Sequence, residues 1–356
     1  MSEPSLCIKV AKINGEKTLI LASKLGVIDR KLEIQKNKTH IYIPLLRQPT
    51  EKELLMLKAQ VPDFQLATNV FTKKKQQRKS LAQVLEDRLP PHLLASLPRA
   101  LDIVGDIAII EIPPELKAHE RLIGEAILTV HNNVRTVLAK AGAVSGTYRL
   151  REFEVIAGEN KTATIHKEYG CKYHVDIAKA YFSPRLSQEH NRVAALVQKG
   201  ETVVDLFAGV GPFSVLIAKN NAEAKVYAVD MNPDAIKLLE RNIRLNRVEN
   251  RVIPVQGDAR RVVETRLLGV ADRVLMNLPE KAIEFVDTAC KAIKPAGGTV
   301  HYYAFIRLPD SLENMQLRFS EAVEKAGRKV DAFLSAKTVR ETAPYEWQIV
   351  LDAKIL

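Results

Sequence analysis

Predicted strands and helices alternate from about residue 178 to the end of the chain, and this alternation constrains the fold most. Strands are predicted at 202–207, 225–230, 251–258 and 272–279, and a helix follows each of them. Repeated β-α units form a parallel sheet that binds its ligands at the carboxyl ends of the strands. The last two predicted strands are separated by the short polar segment RETAPY and therefore pair as a hairpin. We predict an α/β fold, a doubly wound sheet closed by an antiparallel hairpin.

Two smaller α+β domains are predicted before this sheet. Residues 1–62 contain two strand patterns and two helix patterns. Residues 63–80 lose this periodicity and contain the run KKKQQRK, which predicts a basic linker. Residues 81–177 combine helices with short, mainly antiparallel strands. The domain predicted to bind the small-molecule ligand is then 178–356.

The charge balance favours a polyanionic partner. The 356 residues include 53 Lys and Arg and 42 Asp and Glu, a formal net charge of +11 that is spread over both halves of the chain. Nucleic-acid phosphates are one such partner. The basic run is either a solvated linker or an RNA contact, and we favour the contact. The chain has no apolar run of roughly 18 residues, and its three cysteines lie far apart. We therefore expect a cytoplasmic protein without a membrane span or disulfide framework.

The strongest motif is DLFAGVGPFS at 205–214, which lies at a strand-to-helix turn. Glycines there allow a ligand to approach the backbone. A nicotinamide fingerprint requires a third glycine where this chain has Ser214, and Pro212 follows the second glycine. The motif therefore favours a small nucleoside ligand without a pyrophosphate.

Acidic residues end the next two predicted strands. Asp230 ends the strand that follows the motif, at the sequence separation typical of a ribose-binding acid. Its carboxylate can accept hydrogen bonds from both ribose hydroxyls. Asp258 is placed to bind near an adenine edge. An ordinary strand-turn-helix explains Gly209 alone, but not Gly209, Gly211 and both aspartates at successive strand ends.

A second cluster, AYFSPRLSQEHNRV at 180–193, precedes the motif. Tyr181 and Phe182 are predicted to end a strand. Ser187 is a candidate helix cap that places Glu189 and His190 in the first turn. From the spacing alone a purely structural role is favoured, because acidic residues stabilise helix N-termini and aromatic residues fill cores. Near this cluster, Cys-x-x-His at 171–174 lacks a second ligand pair, so no metal site is predicted.

Residues 178–356 resemble the class I S-adenosylmethionine-dependent methyltransferases, which have a Rossmann-like fold. The tripeptide NLP at 277–279 resembles the N-P-P-aromatic motif of enzymes that methylate nucleobase nitrogens. It departs from that motif at Leu278 and at Glu280, which stand in place of the middle proline and the aromatic residue.

Nearly the whole chain resembles a narrower family, the archaeal and eukaryotic tRNA (guanine-37-N1)-methyltransferases. The segments DIVGDIAII, RLRE, IHKEYG, FSPRLSQEHNR, DLFAGVGPFS and NLP occur in the order seen in that family. The resemblance implies that residues 1–62 sense the tRNA elbow and that 81–177 bind RNA. It implies methyl transfer from S-adenosylmethionine to N1 of guanosine 37, with tRNA as the partner. Apart from the resemblance, we expect no metal and a monomeric protein.

The resemblance also implies residue roles. Glu189 is the implied general base, and Arg149 or Arg151, together with Asn277, holds the guanine. The complete predicted cofactor-binding set is Tyr181, His190, Phe207, Gly209, Gly211, Asp230, Met231, Asp258, Ala259 and Asn277. These roles suit the chemistry, because removal of the N1 proton moves negative charge onto O6 of the guanine. A carboxylate near N1 and a cation near O6 act together in that step.

Two other functions are compatible with such a fold. A relative that modifies the tricyclic wyosine base at the same position transfers a methyl or an aminocarboxypropyl group. The intact NLP and the unbroken DLFAGVGPFS favour simple guanine methylation. A non-catalytic RNA-binding protein on a methyltransferase fold is disfavoured, because Glu189 and the cofactor-binding acids are retained.

Overall fold

The computed structural model of the chain describes residues 2–73, 80–142, 146, 148 and 150–356. The chain divides into two compact units, Met1–Lys79 and Ser80–Leu356. Among the described residues, no helix is both long enough and apolar enough to cross a membrane.

The first unit is a four-stranded antiparallel sheet in the order β2-β3-β1-β4 with two helices. Its elements are β1 (Ser2–Ala11), α1 (Gly15–Lys24), β2 (Gln35–Lys36), β3 (His40–Pro44), α2 (Glu51–Gln60) and β4 (Gln65–Thr72). The two helices and the two longer strands predicted before residue 62 are present. Helix α2 begins with a capping box, in which Thr50 and Glu53 each bond the other's backbone N–H.

Strand β4 corrects the predicted structure of the linker. We expected irregular chain from residue 63, but β4 pairs with β1 along its whole length, from Lys9↔Gln65 to Ser2↔Thr72. The period-2 pattern is weak because β4 is an edge strand that fully buries Phe71 and leaves most other side chains accessible. The remainder of the basic run, residues 74–79, lies outside the described residues. The domain bounds themselves stay predictions.

The second unit begins with a smaller α+β part. Its elements are α3 (Leu81–Leu85), α4 (Pro91–Ala95), β5 (Leu101–Val104), β6 (Ile107–Ile110), α5 (Glu120–Val130), β7 (Thr136–Lys140), β8 (Phe153–Gly158), β9 (Ala163–Glu168) and β10 (Cys171–Asp176). Strands β5 to β8 form a sheet in sequence order, antiparallel except for the β6–β7 pair, and β9–β10 is a separate hairpin. The predicted mainly antiparallel arrangement is therefore present.

The remainder of the second unit is the predicted doubly wound sheet. Its elements are α6 (Ser187–Leu196), β11 (Thr202–Asp205), α7 (Pro212–Asn220), β12 (Lys225–Asp230), α8 (Pro233–Asn246), β13 (Val252–Gln256), α9 (Ala259–Arg266), β14 (Arg273–Met276), α10 (Val286–Ala292), β15 (Gly298–Arg307), α11 (Leu312–Lys325), β16 (Val330–Ala343) and β17 (Glu346–Ile355). The strand order is β13-β12-β11-β14-β15-β17-β16. Strand β17 runs antiparallel to both of its neighbours, which confirms the predicted hairpin. The described residues also form short 3₁₀ helices at Lys12–Asn14, Pro114–His119, Pro184–Leu186 and Ala282–Phe285.

Two local predictions before α6 are wrong. The strand expected to end at Tyr181 and Phe182 already ends at Asp176, whose backbone carbonyl accepts hydrogen bonds from two following N–H groups and turns the chain. Ser187 does not cap α6. It is the first helical residue, because a 3₁₀ turn from Pro184 runs directly into the helix.

Helix α8 holds the hairpin strand β10 through two buried asparagines. The side-chain amide of Asn242 bonds the backbone N–H and C=O of His174 at 2.6 and 3.1 Å, and also the C=O of Val210 at 2.9 Å. Asn246 bonds both backbone groups of Lys172 in the same way, at 2.9 and 2.6 Å. The two amides therefore pair with β10 as a neighbouring strand would.

We expect Asn242→Ala to destabilise the second unit. The substitution leaves one buried N–H and two carbonyls without these partners, and each unsatisfied group costs about 1–3 kcal/mol. Urea unfolding should show a loss of at least that size in the free energy of unfolding. The matched control is Asn250→Ala, at an exposed position just after the helix, which should change stability by less than about 0.5 kcal/mol. Equal losses in both variants would contradict this role for the amide of Asn242.

Candidate active site

The carboxyl ends of the parallel strands surround a cavity of about 740 Å³. The strand order reverses at β11, with β12 on one side and β14 on the other, so the following loops diverge and leave a crevice. All of the predicted cofactor-binding residues except Gly211 are among the described residues that line it: Tyr181, His190, Phe207, Gly209, Asp230, Met231, Asp258, Ala259 and Asn277. Sequence reasoning therefore located the cavity, although the individual binding roles stay predictions.

The carboxylate of Asp230 joins two loops of the cavity. One oxygen accepts the backbone N–H of Gly209 at 2.7 Å, and the other accepts that of Asn232 at 2.9 Å. Burial raises the pKa of Asp230, although these backbone hydrogen bonds oppose the change. Gly209 has a φ of 55°, which favours glycine, and a side chain there would come within 3.6 Å of the carbonyl oxygen of Tyr181. Since that distance is an ordinary van der Waals contact, the backbone conformation rather than lack of space favours glycine at this position.

Gly211, whose predicted cofactor contact stays a prediction, has a packing role in the fold. It is the N-cap of α7 with a φ of 88°, and a Cβ on it would lie 2.3 Å from Cδ1 of Leu239 in α8. Close packing of the two helices therefore requires this glycine.

Ser214, which replaces the third glycine of a nicotinamide fingerprint, donates from Oγ to the buried carboxylate of Asp205 at 2.7 Å. Burial raises the pKa of Asp205 to about 7.

Asp258 also has a structural contact. It is the N-cap of α9, where Oδ1 accepts the backbone N–H groups of Arg260 and Arg261 at 3.0 and 3.3 Å. Such a cap explains an acidic residue at this position without a ligand. Because Asp258 also lines the cavity, contact with an adenine stays a prediction.

A buried histidine lies on the opposite wall. Nδ1 of His190 is 2.7 Å from Oε1 of Glu168, and the ring of His190 packs edge-on against Phe213 at 4.6 Å between centroids. Oε2 of Glu168 lies 3.7 Å from Nε2 of His166, beyond hydrogen-bond distance. Burial raises the pKa of Glu168, but the two histidines lower it by more, to about 2. An ionised Glu168 thus fixes Nδ1 of His190 as a donor and orients the ring that lines the cavity.

Glu189, the predicted general base, is not among the described residues that line the cavity. Its buried carboxylate accepts three hydrogen bonds from Arg192 at 2.5 to 3.0 Å and one from the hydroxyl of Tyr303 at 2.8 Å. Nζ of Lys337 is 3.6 Å away. Burial raises the pKa of Glu189, but Arg192, Tyr303 and Lys337 together lower it by more, so the pKa lies below its usual range. Its position in the first turn of α6 agrees with the sequence, but these ion pairs were not expected.

The ion pair of Glu189 continues into a buried chain of charges. Arg192 also bonds Asp352 at 2.6 Å, and Asp352 lies 2.5 Å from Nδ1 of His301. Nη1 of Arg273 is 2.7 Å from Nε2 of His301 and can only donate, so Nδ1 carries the proton that bonds Asp352. Glu201 completes the chain by pairing with Arg273 at 2.9 Å.

The predicted guanine-binding residues divide into three cases. Asn277 lines the cavity at the end of β14. Arg151 is half-buried and is not among the described lining residues. Arg149 lies outside the residues that the structure describes.

Sequence reasoning missed a polar group beside Asn277. Oδ1 of Asn277 accepts from Nε2 of Gln348 at 3.2 Å, and Oε1 of Gln348 accepts from Nε of Arg340 at 2.8 Å. Arg340 also bonds the hydroxyls of Ser183 and Tyr181 at 2.8 and 3.2 Å. Gln348 and Arg340 lie in the last two strands and belong to no motif, so no sequence signal pointed to them.

Three family models match the chain in succession. A tRNA methyltransferase 5 N-terminal domain matches 7–53, a TYW2 N-terminal domain matches 81–162, and a TRM5/TYW2 methyltransferase domain matches 164–332.

Among curated proteins, the tRNA (guanine(37)-N(1))-methyltransferase Trm5b of Pyrococcus abyssi is 40% identical, with 99% of each chain covered. That of Methanocaldococcus jannaschii is 35% identical, with 98% of each covered. The tRNA 4-demethylwyosine(37)-methyltransferase Taw21 of Saccharolobus solfataricus is 34% identical over 72% of this chain and 94% of its own length.

Solved structures give the same order of similarity. Trm5b from Pyrococcus abyssi superposes with a TM-score of 0.73 at 39% identity over 99% of both chains. The complex of aTrm5 with tRNALeu gives 0.72 at 35% identity, covering 99% of this chain and 100% of the other. TYW2 from Methanocaldococcus jannaschii with AdoMet gives 0.56 at 30% identity, covering 72% of this chain and 99% of the other.

Proposed function

The chain belongs to the TRM5/TYW2 methyltransferase family, and we propose that it transfers a methyl group from S-adenosylmethionine to N1 of guanosine 37 in tRNA. The extent of similarity carries the proposal. The two Trm5b relatives, both tRNA (guanine(37)-N(1))-methyltransferases, align over 98 to 99% of this chain. The wyosine-pathway relatives align over 70 to 77% of it.

The cavity fits S-adenosylmethionine. Each carboxylate oxygen of Asp230 accepts one backbone N–H and has a second lone pair to accept a ribose hydroxyl. Gly209 presents backbone without a side chain to the cavity, so a ligand can approach it closely. When bound, the cofactor supplies an electrophilic methyl group that requires placement rather than activation. The residues proposed to hold it are those of the predicted set that line the cavity.

The remaining chemistry is proton removal from the base. Guanine N1 carries a proton at neutral pH and is a poor nucleophile until that proton leaves. Glu189 is the proposed acceptor, and its lowered pKa keeps it ionised across the neutral range. Because Arg192 and Tyr303 hold its carboxylate away from the cavity, this role requires the side chain to turn when the tRNA base enters. An arginine at 149 or 151, with Asn277, is proposed to hold the guanine.

A second candidate reaction has one observation in its favour. The family model that matches residues 81–162 is that of the TYW2 N-terminal domain. Relatives of that kind act on 4-demethylwyosine at tRNA position 37, by methyl transfer or by aminocarboxypropyl transfer. Guanine methylation is preferred because these relatives cover less of this chain.

We expect the protein to convert an unmodified tRNA transcript with guanosine 37 into one with 1-methylguanosine. The measurement is incubation with methyl-labelled S-adenosylmethionine followed by nucleoside analysis. A transcript with adenosine 37 is the matched control and should stay unlabelled. A product only from tRNA that carries 4-demethylwyosine would replace our proposal with the second candidate.

We expect Glu189→Gln to lower the single-turnover rate by roughly 10²–10⁴-fold, with cofactor affinity almost unchanged, because glutamine keeps the shape but cannot accept the proton. The loss should shrink toward alkaline pH, where solvent removes the N1 proton. The measurement is single-turnover methylation of one transcript across pH.

The control for this variant is Asp352→Asn, which weakens the other carboxylate contact of Arg192 and leaves Glu189 intact. If Glu189 is the base, Asp352→Asn should retain most of the turnover. Equal rate losses in both variants would assign Glu189 a purely structural role.

The first unit is proposed to bind the tRNA elbow. Residues 1–60 contain 11 basic and 6 acidic side chains, a balance that suits phosphate contacts. Deletion of residues 1–79 should spare cofactor affinity, measured by calorimetry, and should reduce the preference of kcat/KM for full tRNA over an anticodon stem-loop. An unchanged preference would contradict elbow binding. The cytoplasmic location and the monomeric state stay predictions from the sequence.

A further inference from the structure

Three side chains from the ends of three strands form one hydrogen-bonded series at the cavity wall. Arg340 of β16 donates to Gln348 of β17, which donates to Asn277 after β14. Gln348 is 1% exposed and lines the cavity, as Asn277 does. The series therefore ends at a residue that a bound base would meet.

The order of donors and acceptors in this series is forced. A guanidinium has N–H donors and no acceptor, so the oxygen of Gln348 must face Arg340. The amide nitrogen of Gln348 then faces Asn277 and requires its oxygen as the acceptor. Nδ2 of Asn277, which makes no hydrogen bond to the other described residues, is left for a ligand.

We infer that Gln348 and Arg340 are positioning residues, which set Asn277 as a hydrogen-bond donor toward O6 of the target guanine. The inference rests on the proposed function. O6 is an acceptor in the neutral base and gains negative charge when the N1 proton leaves. A fixed donor at that oxygen stabilises the charge as it forms, without the cost of turning an amide during the reaction. The 2-amino group of guanine is a donor and does not match Nδ2.

Arg340 has a second contact that supports this role. The same guanidinium bonds the hydroxyls of Ser183 and Tyr181, which belong to the segment before α6. Ser183 and Tyr181 both line the cavity. One side chain thus fixes the separation between the wall that carries Asn277 and the segment that contains Tyr181.

The test compares Gln348→Met with the wild-type protein on tRNA transcripts. Methionine is similar in size to glutamine but lacks the donor and acceptor, so the amide of Asn277 becomes free to rotate. We expect the single-turnover rate to fall by roughly tenfold or more, with affinities for cofactor and tRNA within about twofold of wild type.

A second variant, Arg340→Ala, removes the other member of the series. Arg307→Ala is its matched control, because Arg307 is an exposed arginine on β15. Only Arg340→Ala should slow the reaction.

Two further measurements separate positioning from general disruption. In an Asn277→Ala background, Gln348→Met should cause no additional loss of rate, because Gln348 acts through Asn277. A transcript with inosine 37 keeps O6 and lacks the 2-amino group, so the loss caused by Gln348→Met should be the same for inosine as for guanosine. A loss that disappears with inosine would show that Asn277 reads the 2-amino group, and would overturn the inference.

The remaining outcomes are also decisive. Additive losses in the double variant would assign Gln348 a structural role and reject its action through Asn277. If Gln348→Met does not fold, as judged by circular dichroism, Arg340→Ala supplies the same comparison from a half-buried position. An active wild-type protein with unaffected Gln348 and Arg340 variants would reject this inference alone, whereas an inactive wild-type protein would reject the proposed function.

Discussion

The reversal of strand order at β11 is the constraint on which the rest of the site depends. Connections on one side of β11 lead to β12 and β13, and those on the other side lead to β14 and β15. The loops that leave the strand ends therefore separate, and a crevice opens above β11. Asp230 then ties two of these loops together through the backbone of Gly209 and Asn232. The cavity is formed by topology and held open by hydrogen bonds.

The charged interior beside the cavity is costly to build, because removing charges from water is favourable only when the partners are well placed. Arg192 is shared between Glu189 and Asp352, and the chain of partners reaches Glu201, directly before β11. This arrangement stabilises the ionised form of Glu189. If Glu189 is the proposed base, stability and proton transfer depend on the same carboxylate.

The sequence was sufficient for features that depend on local pattern. The strand-to-helix turn at Gly209, the acid at the end of β12 and the final hairpin all follow from short segments. Of the two local errors before α6, the one near Tyr181 occurs where a turn at Asp176 ends the strand early, and the one at Ser187 occurs where a 3₁₀ turn runs directly into the helix. Contacts between distant segments were not predictable: Gln348 is 71 residues from Asn277, and Arg192 is 160 residues from Asp352. Side chains that act through each other across such distances leave no spacing signal in a single sequence.

The attachment of β10 to helix α8 depends on a match between the repeat distances of a helix and a strand. Four residues of an α-helix rise about 6 Å, and two residues of a strand span about 6.6–6.8 Å. Asn242 and Asn246 are four apart, and their partners His174 and Lys172 are two apart. The two periods nearly coincide, so both amides bond at once in a single alignment. Sliding the hairpin by one residue would turn every side chain of β10 to its other face, and this pair of asparagines selects against it.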